Sequence, residues 1–168
     1  MRHLSRKKYT NQMEITIRKA TLKDIPSLLK LWTKLMEFHR TLSSHFELAD
    51  DAETVWEFYV RKQLDEPNFL LIVAEVNGNI IGFSLASIQA NIPVFKIKKY
   101  GVIYDFFVDE AFRKRGIGRK IFDFAREWFE QKGVEHLQVS AAHHNPIAQG
   151  FWHAMGFTNY LDRLAREI

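Results

Sequence analysis

The chain has 168 residues, of which 46% are hydrophobic and 14% aromatic, a composition that specifies one folded domain and not a disordered or fibrous chain. It contains no cysteine, which excludes disulfides, thiolate metal sites and cysteine nucleophiles. The formal net charge is +4, an excess that suits nucleic acid, an anionic membrane or a phosphate-rich small molecule.

The elements are taken in chain order. The first twelve residues, MRHLSRKKYTNQ, are basic and lack the apolar middle of a secretory signal, so they read as a tail. The domain is expected over 13–168, with Met13 as an alternative start of translation. EITIRKA alternates apolar and polar residues and predicts a strand. In 21–40, Ile25, Leu28, Leu29, Trp32, Leu35 and Met36 recur at helical spacing, with Thr21 or Asp24 at the start and Pro26 in the first turn. A polar loop over 41–51 carries Glu47, Asp50 and Asp51. Ala52, Val55, Trp56 and Tyr59 then mark a second helix.

Residues 68–88 predict a hairpin turning at Asn77-Gly78, a pair suited to a type I′ turn. YGVIYDFFVDE, over 100–110, is nearly continuous in apolar residues and predicts a strand buried on both faces. A third helix is expected from about Gly116 to Lys132, ended by Gly133, and EHLQVSAA predicts a short strand after it. Strand, helix and strand form a βαβ unit with two parallel strands. NPIAQGFWHAM predicts a fourth helix with Pro146 at its first position, and FTNYLDRLAREI a last strand. The fold class is α/β, a mixed sheet of about six to seven strands flanked by four helices. No run approaches the ~18 apolar residues that a membrane span requires.

The chemistry concentrates in RKRGIG, residues 113–118, at the strand-to-helix connection of the βαβ unit. A helix start offers unpaired N–H groups and partial positive charge, which suits phosphate. Gly116 and Gly118 remove side chains that would block an anion from the backbone, while Arg113, Lys114, Arg115, Arg119 and Lys120 surround it with charge. A dinucleotide fingerprint would place another glycine near Ile121, and a P-loop would end in Gly-Lys-Ser/Thr; GIGRKI does neither.

FFVDEAFRKRGIGRKIF followed by NPIAQGFWHAMGF resembles the GNAT superfamily of N-acetyltransferases. Arg113, Gly116 and Gly118 match its Arg/Gln-x-x-Gly-x-Gly/Ala element, and Asn145, Ala148 and Gly156-Phe157 match its second element. The resemblance implies acetyl-CoA as co-substrate, with the two strands of the parallel pair splaying apart. Its pyrophosphate is expected on the N–H groups of Arg115 through Arg119, including Ile117, and its pantetheine arm along Phe106, Phe107 and Val108. Asn145 is expected to hydrogen-bond the arm, Val108 N–H to receive the oxyanion, and Trp152 to stand against the cofactor. Trp152 occupies the position of the family's usual tyrosine acid, and an indole does not transfer a proton near neutrality. Tyr160, His153, His144 or water are the replacements, with Tyr160 taken as the catalytic candidate.

Asp105, an acid within an apolar strand, is the candidate base or amine-binding group. YDFFV is similar to EDFFV of the spermidine/spermine N-acetyltransferases, with Tyr104 in place of the first acid. The expected reaction is transfer of an acetyl group to a primary amine of a polyamine-like small molecule or a peptide; the alternative is a non-catalytic CoA-binding module. The expected setting is cytoplasmic, without metal, nucleic acid or membrane, and with a homodimer through the last strand.

Overall fold

A computed structural model describes residues 13–166 and 168; the basic tail expected over 1–12 lies outside the described residues. In chain order the elements are β1 (Ile15–Lys19), α1 (Ile25–Leu42), α2 (Ala52–Gln63), β2 (Phe69–Val76), β3 (Asn79–Ala90), β4 (Lys99–Val108), α3 (Ile117–Gln131), β5 (Leu137–Val139) and α4 (Pro146–Ala154). The five strands lie in sequence order, antiparallel from β1 to β4, and β5 joins β4 in parallel. The sheet is mixed and the class α/β, with four α-helices as expected.

Two cores form on opposite faces of the sheet. One gathers Ile25, Leu28, Leu31, Trp32 and Leu35 of α1 and Trp56 and Val60 of α2 over Val73, Phe83, Leu85 and Phe107. The other gathers Ile117, Ile121, Ala125 and Trp128 of α3 and Trp152 of α4 over Ile72, Ala86 and Ile103. Alternation along the strands sends successive side chains to the two faces, which is why β2 is apolar almost throughout. The β2–β3 hairpin turns at Asn77 and Gly78, with φ of 49° and 79°, the paired left-handed geometry of a type I′ turn.

Three expectations are corrected. The sheet has five strands among the described residues, fewer than six to seven, because 157–168 forms no strand there. Tyr160, Leu161 and Leu164 are all exposed, so that segment has no apolar face to bury against the sheet. On α2 the buried pair is Trp56 and Val60, whereas Val55 and Tyr59 are exposed. And β4 is not covered on both faces along its length: Tyr104 is 52% exposed and Asp105 is half-buried.

Candidate active site

The departure at Tyr104 has a cause in register. Leu85 pairs with Asp105 and Ala86 with Ile103, so one step on β3 spans two on β4 and Tyr104 is the extra residue of a bulge. Ile103 and Phe106 pack with α3 and α4, while Phe107 packs with α1 and α2. Simple alternation from Ile103 would put Asp105 with α3; the bulge instead turns both Tyr104 and Asp105 towards α2. They line a cavity of about 270 Å³ together with Trp56, Tyr59 and Leu85.

The bulge also divides β4 into two halves with different edges. Gly101 N–H donates to His136 O, and pairing with β5 runs only from Gly101 to Ile103. Beyond Ile103 the outer edge of β4 has no strand partner among the described residues. Asp109 N–H donates to Ile81 O on β3, so alternation turns the N–H groups of Phe106 and Val108 to the opposite, open edge. Val108 O, on that edge, accepts from Arg113 Nε at 2.9 Å.

The chain then bends into α3. Lys114 and Gly116 both take left-handed backbone, with φ of 59° and 76°. Gly116 is the residue before the first helical turn, where a side chain would strain the backbone. The first-turn N–H groups of α3 point into this bend. A Cβ on Gly118 would lie 3.0 Å from the Phe151 ring and 3.6 Å from Phe106, so glycine lets the start of α3 pack directly on these two rings. Arg113, Lys114, Arg115, Arg119 and Lys120 are exposed around it. Two of them are partly engaged: Arg113 lies over Phe107 and Arg115 over Phe112.

Asn145 is buried and caps α4, its Oδ1 accepting from Ala148 N–H at 3.1 Å. Its Nδ2 donates to no protein group among the described residues. Trp152 is 7% exposed, ringed by Phe106, Phe122, Phe151 and Phe157 with centroids 4.9–6.1 Å away. It is an apolar wall behind Phe106. Tyr160 is exposed beyond α4 and makes no side-chain hydrogen bond among the described residues. His153 Nε2 lies 3.0 Å from Asn159 Oδ1, and Glu47 pairs with Arg40 at 3.3 Å.

Burial pushes the Asp105 carboxyl up to about 6, since desolvation disfavours its charged form. Its remaining surface opens onto the cavity, whose walls are mostly aromatic and aliphatic, so the apolar surroundings decide its behaviour more than its partial exposure does. The Trp56 indole N–H approaches it and opposes the shift, yet closes no hydrogen bond of full geometry; Trp56 Nε1 is buried without a partner. Near pH 7 Asp105 is thus mostly ionised and still basic enough to take a proton.

The residues missed by sequence reasoning are Trp56 as a cavity wall, Tyr59 and Leu85. Tyr59 and Trp56 sit three apart on one helix, but nothing in their spacing says that the β4 bulge faces them.

The open edge of β4 thus runs into a glycine-bearing helix entrance, with the Asp105 carboxylate on the face of the same strand that turns to α2. The chain belongs to the acetyltransferase (GNAT) family, whose model matches residues 30–157. A Bacillus subtilis (strain 168) relative described as the uncharacterized N-acetyltransferase YhfO is 24% identical over 143 residues, covering 85% of this chain and 89% of that protein. The aminoglycoside N-acetyltransferase AAC(6′)-Iy, solved in complex with CoA, superimposes with a TM-score of 0.75 at 20% identity, over 93% of this chain and 95% of the other. An aminoglycoside acetyltransferase from an uncultured soil metagenomic sample, solved with sisomicin, gives a TM-score of 0.69 at 21% identity over 92% and 96%. The protein is an acetyl-CoA-dependent acyltransferase.

Proposed function

We propose that the chain moves an acetyl group from acetyl-CoA to a primary amine of a small molecule or peptide, by direct attack and with Asp105 as base. The observation that carries this reading is the bulge. It leaves the N–H groups of Phe106 and Val108 on an open edge and Asp105 on the adjoining face of the same strand.

The residues fit the co-substrate. The N–H groups of the Arg115–Arg119 bend suit its diphosphate, with Lys114, Arg119 and Lys120 supplying charge. The edge of Phe106–Val108 suits the amides of its pantetheine arm, in the manner of an added strand. Asn145 Nδ2 is a further donor for that arm, and Gly118 lets the helix start sit close against Phe151 and Phe106 beside β4.

For the reaction, an amine with a pKa near ~10.4 is free base in only about four molecules per ten thousand at pH 7, a cost of roughly 4–5 kcal/mol. Asp105 binds the ammonium form and takes its proton. The amine nitrogen attacks the acetyl carbonyl, and Val108 N–H donates to the oxygen that becomes negative. The C–S bond then breaks, and the second amine proton goes to the departing sulfur; Tyr160 or solvent is its carrier, because Trp152 is sealed in an aromatic cluster. Asp105 returns its proton to solvent.

The sequence likeness to spermidine/spermine enzymes rests on Asp105 without its acidic neighbour, since Tyr104 stands there. The reading is tested by calorimetry with CoA and by thiol release from acetyl-CoA in the presence of amines. Micromolar binding with amine-dependent release supports it. Binding with no transfer to any amine favours a non-catalytic CoA-binding module, and absence of binding overturns both.

A further inference from the structure

Resting on that reading, we infer that the cavity between α2 and the β4 bulge takes one ammonium on an aromatic or aliphatic body, so that the acceptor is a small arylalkyl or alkyl monoamine and not a polycation. Four observations support it. The lining holds a single charged side chain, Asp105, and no other acid or base. The remaining walls are Trp56, Tyr59, Tyr104 and Leu85. The volume, about 270 Å³, is below the ~300–1,000 Å³ of drug-sized sites. And Trp56 carries a buried indole N–H with no partner, aimed at the side of the cavity where Asp105 stands.

The walls are held firmly. Trp56 stacks on Trp32 at 5.3 Å and 22° and meets Phe83 edge-on, while Tyr59 meets Phe69 edge-on at 6.0 Å. A carboxylate set among three aromatic rings suits a cation: the carboxylate supplies the countercharge, and any ring face turned to the ammonium adds quadrupole attraction. One carboxylate neutralises one ammonium. A second ammonium on the same molecule would find no carboxylate in the lining to pair with, so it gains no ionic contact there. The acids elsewhere on α2 are already engaged: Glu57 binds Arg61 at 2.7 Å and Glu53 accepts from Thr33 at 2.8 Å. The carbon body of a monoamine, by contrast, finds apolar surface to cover.

The test uses the full chain, acetyl-CoA and four acceptors: phenethylamine, hexylamine, spermidine and sisomicin. Phenethylamine or hexylamine is expected to exceed spermidine and sisomicin at least tenfold in kcat/KM. Tyr104→Glu, at a half-exposed position that leaves the core untouched, adds a second carboxylate and is expected to move the phenethylamine-to-spermidine ratio at least tenfold towards spermidine. A wild-type preference for spermidine or sisomicin, or a ratio unmoved by Tyr104→Glu, overturns the inference. Quenching of tryptophan fluorescence separates it from the transfer reading. Phenethylammonium that binds in competition with hexylammonium, with no amine acetylated, keeps the monoamine site and removes catalysis. A protein that acetylates peptides or polyamines but binds no monoamine keeps catalysis and removes the site.

Discussion

Replacing Asp105 by Asn separates the burial of this carboxylate from its chemistry, because stability and turnover respond in opposite directions. The carboxyl is raised from 3.8 to about 6 in the folded chain. At 1.36 kcal/mol per pKa unit this amounts to about 3 kcal/mol by which the charged form is disfavoured on folding. The folded state holds the proton more tightly than the unfolded one, so the contribution of Asp105 to stability is full below pH 4, falls as pH rises through 4 to 6, and stays at its lower level above. Asn does not titrate. The variant is therefore expected to match the wild type near pH 4 and to exceed it by up to about 3 kcal/mol at pH 7. Urea unfolding at half-unit pH steps measures this as a shift in midpoint at constant slope. Activity moves the other way: kcat/KM falls about 10²–10⁴-fold, and the acid limb near pH 6 disappears from the pH–rate profile. Stability curves that run parallel from pH 4 to 8 would refute the assignment of Asp105 to an apolar cavity.

Three further outcomes are expected. Val108→Pro removes an N–H that faces the open edge and bonds nothing on β3, so the fold is retained while kcat drops about 10²–10³-fold with little change in CoA affinity; equal losses in kcat and in thermal stability would contradict the edge assignment. Gly118→Trp forces a bulky ring into the packing of the α3 start on Phe151 and abolishes detectable CoA binding by calorimetry, with far-ultraviolet circular dichroism checking that helix content persists; unaltered affinity would remove this helix entrance from the site. Tyr160→Phe lowers kcat without altering the KM for acetyl-CoA if the phenol supplies the thiol proton, and steady-state kinetics at pH 7 and 9 report it; an unchanged kcat assigns that proton to solvent.

Much of the architecture was legible because local rules and global packing agree. The 3.6-residue stripes of α1 and α3, the Asn77-Gly78 turn and the Pro146 helix start each have a physical cause within a few residues of sequence. The glycine-bearing helix entrance with its exposed cations at 113–118 was legible for the same reason, since such features are set locally. The last strand failed because alternation alone does not supply a neighbour, and Leu161 and Leu164 meet no apolar surface. Tyr104 and Tyr59 were read by periodicity as strand interior and helix stripe. Their common cavity depends on a one-residue slip in pairing between β3 and β4, a relation between distant segments that neither segment encodes by itself. Asp105 stood out because an acid in an apolar run is conspicuous; its wall partners are ordinary aromatics until the slip brings them together.

The supernumerary residue in β4 has an evolutionary corollary. Under the proposed reaction, donor handling rests on main-chain groups beyond the slip, whereas acceptor choice rests on side chains at the slip itself. On that reading, exchanges at position 104 or on the facing helix retune which nucleophile is accepted and leave the groups that present the thioester in place.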